Sequence, residues 1–72
     1  MVVKLFATFR EGRGKEVDVP WYEGINGTAL LEALDLTSDD VKILLINGQY
    51  GKLEDTLKQE DVISLFPAVG GG

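Results

Sequence analysis

The residues that offer chemistry stand at the end of the chain, Phe66-Pro67-Ala68-Val69-Gly70-Gly71-Gly72. Val62-Ile63-Ser64-Leu65-Phe66 reads as a strand, Pro67 stops it, and three glycines run to a carboxylate. Glycine has no Cβ and loses the most conformational entropy on ordering, so residues 68–72 are expected to form a flexible tail outside the packed domain. Such a thread fits a narrow channel in another protein and presents an acyl carbon that no branched side chain shields. An α-carboxyl titrates near about pH 3.5, so at neutral pH it is an anion and a poor electrophile until something activates it. Gly72 would carry that chemistry, with Gly71 giving access to it. An ordinary frayed terminus could also be glycine-rich, but here the glycines follow a strand and a proline with no linker-like Ser or Lys between.

The rest of the chain holds no catalytic constellation. There is no His and no Cys, which leaves no imidazole base, no thiol nucleophile, no disulfide and no His/Cys metal site. Gly12-Arg13-Gly14 lacks the third glycine and following helix of a dinucleotide loop, and no Walker sequence is present, so the chain is not expected to bind ATP by itself. Thr37-Ser38-Asp39-Asp40 carries two carboxylates without the ligand spacing of a calcium loop and reads as a solvated capping turn. Asn26-Gly27-Thr28 matches a glycosylation sequon, which has no consequence in a chain that is not secreted.

The elements that must position the tail follow from periodicity. Seventy-two residues with 44% hydrophobic content make one small domain, expected over residues 1–67. Val2 to Phe9 reads as a first strand, with Val3, Leu5, Ala7 and Phe9 on the core face and Lys4, Phe6 and Thr8 on the other. Glu16-Val17-Asp18-Val19 alternates as the second strand of a hairpin, ended by Pro20, and Trp21 is expected to cap the core. Asn26-Gly27-Thr28 supplies a turn and an N-cap, and Leu30, Leu31 and Leu34 lie at helical spacing over Thr28–Leu36. Val41–Ile46 is apolar on both faces, as a covered interior strand would be. Asn47-Gly48 turns it into a short strand, Gln49-Tyr50-Gly51. Leu53–Leu57 reads as a loop or single helical turn before the last strand. The class is α+β, with a crossover helix joining strands of one sheet.

Leu65-Phe66-Pro67-Ala68-Val69-Gly70-Gly71-Gly72 resembles the "LFPPV-small-GG" ending of the small subunit of molybdopterin synthase, a family of ubiquitin-like sulfur carriers. Leu5-Phe6-Ala7-Thr8-Phe9-Arg10-Glu11 is similar to that family's opening motif, and Asn47-Gly48, Leu57 and Asp61-Val62 match further along. Ala68 replaces a second proline, and Gln59-Glu60-Asp61 replaces an Asp-Gly-Asp turn. The resemblance implies a ubiquitin-like β-grasp, ββαββ in its main elements, whose last strand pairs in parallel with the first. It also implies a function. An adenylyltransferase using ATP and Mg converts Gly72 to an acyl-adenylate, and a sulfurtransferase supplies the sulfur of a thiocarboxylate. The large subunit of molybdopterin synthase then takes up the tail and passes that sulfur to a pterin precursor. With no cysteine in the chain, any sulfur carried must sit on the backbone terminus.

By the same resemblance, Phe6, Tyr50, Phe66, Pro67 and Gly70 contact partners. Alternation turns Phe6 outward but leaves open the side of Phe66, which could equally be peripheral core with Tyr50. Other readings of the same end are a protein modifier joined through Gly72 to a lysine, a carrier for thiazole or tRNA thiolation, or a non-covalent binding module. The net charge of −5, from twelve acidic and seven basic residues, argues against nucleic acid. No apolar run reaches the ~20 residues of a membrane helix and no signal peptide is visible, so a cytoplasmic location is expected.

Overall fold

Val2–Leu5 forms β1 with alternating exposed and buried side chains, and Val3 and Leu5 are completely buried. The expected continuation to Phe9 does not form. In the computed structural model, which describes residues 1–68, Ala7 adopts a left-handed backbone (φ 53°) and Ala7–Arg10 tightens into a 3-10 turn. Ala7 is consequently exposed rather than on the core face, while Phe9 swings back into the core by way of the turn. A left-handed alanine costs on the order of 1 kcal/mol, which the burial of Phe9 offsets.

Glu16–Asp18 is β2, antiparallel to β1 with Val17 opposite Val3. Trp21 packs on the core and donates its indole N–H to the Leu57 carbonyl at 3.0 Å. The helix α1 covers Gly27–Ala33, shorter than the leucine spacing suggested. Asn26 caps it, its side-chain oxygen accepting from the Ala29 amide at 2.9 Å. Asp35 ends it in a left-handed conformation (φ 59°). The Leu36 amide then donates to the Leu31 carbonyl and the Asp35 amide to that of Glu32, the paired bonds of a Schellman motif. Leu36 is therefore buried as the apolar partner beyond the helix rather than as its last turn.

Thr37 and Asp40 form a reciprocal capping box around a second 3-10 turn, Ser38–Asp40, confirming the solvated-turn reading. It leads directly into β3, Val41–Ile46. Asn47 and Gly48, both left-handed (φ 53° and 84°), turn the chain into β4, Gln49–Tyr50, and β5 is Val62–Pro67. Among the described residues one five-stranded sheet runs in the order β2-β1-β5-β3-β4. β5 pairs in parallel with β1 and antiparallel with β3, so the last strand lies at the centre. Ile63 and Leu65 face the same side as Val3, Leu5 and Leu44, and Leu30 and Leu31 of α1 close over them to make the core. This is the mixed sheet with one helix of the ubiquitin-like β-grasp.

Pro67 does not stop β5 before it but is its last residue, opposite Val41. It can be, because a proline lacks only the donor and tolerates the end of a ladder. The segment between β4 and β5 is a loop, tied to the helix start where the Thr28 amide donates to the Leu53 carbonyl. Asp61 is the one buried charged side chain among the described residues. Its two oxygens accept from the Asn47 side chain at 2.9 Å and the Lys58 amide at 2.8 Å, while the Asn47 side-chain oxygen accepts from the Val62 amide.

Candidate functional site

The centre of the candidate site is the strand that delivers the tail. Leu65 of β5 lies beside Leu5 of β1, and the Phe6 amide donates to the Leu65 carbonyl at 3.2 Å. Phe6 keeps an extended backbone (φ −126°, ψ 153°) although β1 has ended, so its side chain turns away from the helix. Phe66 does the same one residue beyond buried Leu65. Parallel pairing in this register places the two on one face, where their rings stack with centroids 4.2 Å apart and planes 8° from parallel. Phe66 therefore belongs to the face opposite the core, half-buried by Phe6 rather than by the interior. Local alternation could not say so, because the answer depends on register with a strand some sixty positions away.

Arg10 completes the pair. Its Nε donates to the Leu5 carbonyl at 2.8 Å, and its guanidinium carbon lies 5.3 Å from the centre of the Phe6 ring, within cation–π range. The reversal at Ala7 makes this possible by folding residue 10 back over residue 6. In the sequence Arg10 stands out only as part of a motif. A periodic reading places it further along a strand and would miss it.

Tyr50 lies on the same face but not in the same cluster. It pairs with Leu45, which pairs with Ser64, so it shares the side of Phe66 at two strands' remove, roughly 10 Å across the sheet. The residue is 81% exposed, so it is not peripheral core. Between Tyr50 and the aromatic pair, Ile43 and Leu45 of β3 also point outward, opposite Phe66 and Ser64. The face is thus a broad apolar shelf, with Phe6 and Phe66 at one side and Tyr50 at the other.

Pro67 is half-buried at the end of β5. The Ala68 amide then donates to the Asp40 carbonyl at 2.9 Å, so the backbone is still tied to the domain one residue after the strand. Gly70, Gly71 and Gly72, singled out in the sequence, lie outside the described residues. Among the described residues no group of three His, Cys, Asp or Glu side chains is disposed to hold a metal ion. Nor is any helix among them long and apolar enough to cross a membrane.

Solved structures resemble this chain over nearly its whole length. SAMP1 from Haloferax volcanii is 25% identical with a TM-score of 0.79, over 99% of this chain and 97% of that one. A second structure of the same protein, the H. volcanii small archaeal modifier protein 1, gives 24% identity and the same TM-score, over 94% of this chain and 95% of that one. A Pyrococcus furiosus protein assigned as molybdopterin converting factor, subunit 1, is 28% identical with a TM-score of 0.76, over 94% and 95% of the two chains. The ThiS family model matches residues 3–72, which takes in all but the first residue of β1, the other strands, the helix and the glycine end. The chain belongs to the ThiS family and has its ubiquitin-like β-grasp fold.

Proposed function

We propose that this protein is a sulfur carrier whose Gly72 is converted to a thiocarboxylate that donates sulfur in molybdopterin biosynthesis. The observation that carries this reading is the family match running through Gly72, together with a Leu65-Phe66-Pro67 approach of the molybdopterin type. The similarity to the Pyrococcus furiosus converting-factor subunit supports the pterin branch.

The chemistry runs outside the chain's own side chains. The adenylyltransferase joins the Gly72 carboxylate to the α-phosphate of ATP, releasing pyrophosphate and giving an acyl-adenylate. Sulfur delivered at the hydrosulfide level by a sulfurtransferase attacks the acyl carbon and AMP leaves, so a thiocarboxylate remains. In the large subunit of molybdopterin synthase that sulfur passes to the pterin precursor, and water returns the carboxylate. Glycine at the tip leaves the acyl carbon open to both attacks, and the absence of a Cβ at Gly71 lets the backbone enter a tight channel. The chain supplies binding and delivery. The shelf of Phe6, Phe66 and Tyr50 is where the partners grip, and truncating a central aromatic anchor of such an interface commonly costs ~2 kcal/mol or more of binding. No step needs a cofactor, nucleic acid or membrane bound by this chain, and the reactions are those of the cytoplasm.

A second reading, a ubiquitin-like modifier joined through Gly72 to lysines, is favoured by the similarity to a protein named small archaeal modifier protein 1. Both readings use the same activated glycine. Intact mass of the protein purified from its own cells separates them. Replacement of one oxygen by sulfur at the terminus is expected; high-mass conjugates with an isopeptide at Gly72, and no thiocarboxylate, would overturn the carrier reading.

A further inference from the structure

Beside the aromatic pair the fold gathers positive charge on an acidic protein. A groove of about 250 Å³ is lined by Lys4, Leu5, Phe6, Arg10, Lys15 and Glu16. Three of the chain's seven basic residues meet there, although acidic residues outnumber basic ones twelve to seven. Backbone geometry brings them together. Lys4 points outward from β1, the Leu5 amide donates to the Lys15 carbonyl at 2.8 Å, and the reversal at Ala7 returns Arg10 to the same edge.

None of the three makes an ion pair among the described residues. The single ion pair among the described residues joins the Met1 amino group to Asp18, and Glu16, though opposite Lys4, forms none. Arg10 uses Nε on the Leu5 carbonyl, and its two outer nitrogens make no hydrogen bond among the described residues. Tied to the Leu5 carbonyl and placed over the Phe6 ring, the guanidinium is preorganised, so little side-chain entropy is lost when a carboxylate takes the fork. Three basic residues against the single carboxylate of Glu16 leave the groove net positive, which favours a bound anion.

We propose that the Lys4–Arg10–Lys15 groove receives an acidic segment of the partner protein that activates Gly72, with a carboxylate on Arg10 and an apolar side chain against Phe6. The proposal rests on the carrier reading and names the chemistry of its partner surface. The size of the groove argues for this occupant, because sites that enclose a nucleotide-sized ligand run about 300–1,000 Å³ and this one holds one or two side chains. The net charge of −5 acts against nucleic acid. Phe66, stacked on the groove's own Phe6, is one residue from the end of β5, so a partner docked here sits where the chain leaves the domain.

The test is steady-state adenylation by the adenylyltransferase of the same cell, followed by pyrophosphate exchange at low and high salt. The double variant Lys4→Gln/Lys15→Gln alters no side-chain hydrogen bond of the described residues, and Arg10→Gln is its companion, with circular dichroism reporting its fold. Lys52→Gln/Lys58→Gln, in the loop beyond β4 at the far edge of the sheet, removes the same charge elsewhere. The groove variants are expected to raise KM for the carrier roughly tenfold at low salt with kcat held, and to lose most of the salt dependence of the wild type. Groove and control variants with equal KM overturn the proposal, as does a rise in KM for ATP instead of for the carrier. A wild type that is not adenylated at all overturns the carrier reading, and the groove's assignment with it.

Discussion

The stacked pair can be weighed by removing one ring, then the other, then both. Rings with carbon contacts about 3.5 Å apart and centroids at 4.2 Å are displaced sideways by about 2 Å, which is the favourable offset geometry rather than the repulsive sandwich. A fully buried Phe→Ala costs about 3–5 kcal/mol, and each of these side chains is half-buried, so each single variant is expected to lose about 2 kcal/mol. At about 0.05–0.15 kcal/mol per residue the whole domain holds roughly 4–11 kcal/mol, so Phe6→Ala and Phe66→Ala remain folded. Much of each loss is the same contact counted twice. The double variant should therefore cost about 1 kcal/mol less than the sum of the singles. Phe6→Ala should be the more costly single, because it also strips the surface under Arg10. Urea unfolding of the four proteins measures all three quantities. Additivity within about 0.3 kcal/mol would refute the stack as an energetic unit and leave two independent surface rings.

Three further outcomes are expected. Deleting Gly72 should abolish adenylation and thiocarboxylate formation without moving the unfolding midpoint, since the last residue of a chain commonly contributes little to stability; adenylation retained in the truncated chain would remove Gly72 from the chemistry. Gly27→Ala should destabilise by about 1–3 kcal/mol in urea despite alanine's better helix propensity, because its Cβ would stand 2.9 Å from the Leu53 Cα and 3.0 Å from its carbonyl oxygen, backbone that cannot step aside. Asp61→Asn should cost about 2 kcal/mol, much like Asp61→Ala, since an amide nitrogen would face either the Asn47 or the Lys58 donor; a near-neutral Asn variant would show that shape alone matters there.

What the sequence made legible was local and what it hid was long-range. Asn26 and Thr37 announce their caps because the capping oxygen and the amide it serves lie three residues apart. The alternation of Val3 and Leu5 likewise needs only one strand to be read. The two largest overshoots, β1 beyond Leu5 and the helix beyond Ala33, share a cause. Ala7 and Asp35 take left-handed backbones that their residue types do not advertise, whereas Asn47-Gly48, equally left-handed, was legible because Asn-Gly favours that turn. The side chosen by Phe66 and the convergence of Lys4, Arg10 and Lys15 could not be read at all. Each depends on register or on a reversal that brings distant positions together.

The place of β5 bears on how the proposed carrier would work. A strand at the sheet edge has one ladder of hydrogen bonds, and a partner that draws on its end can peel it. β5 has two, to β1 and to β3, and its inward residues Ile63 and Leu65 are wholly buried. Beyond it the chain is still held at Ala68 by the Asp40 carbonyl, and Asp40 is itself fixed in its capping box. The point from which the remaining residues depart is therefore set by the fold. Fixing it reduces the entropy that a partner must take out when it captures the end, which lowers the cost of binding without adding a contact. On the proposed carrier function several enzymes would visit the end in turn, and the saving would be the same for each of them. Under that proposal the partners would supply the chemistry, and this chain would need only a rigid platform, a shelf by which to be gripped, and an end with no side chain in the way.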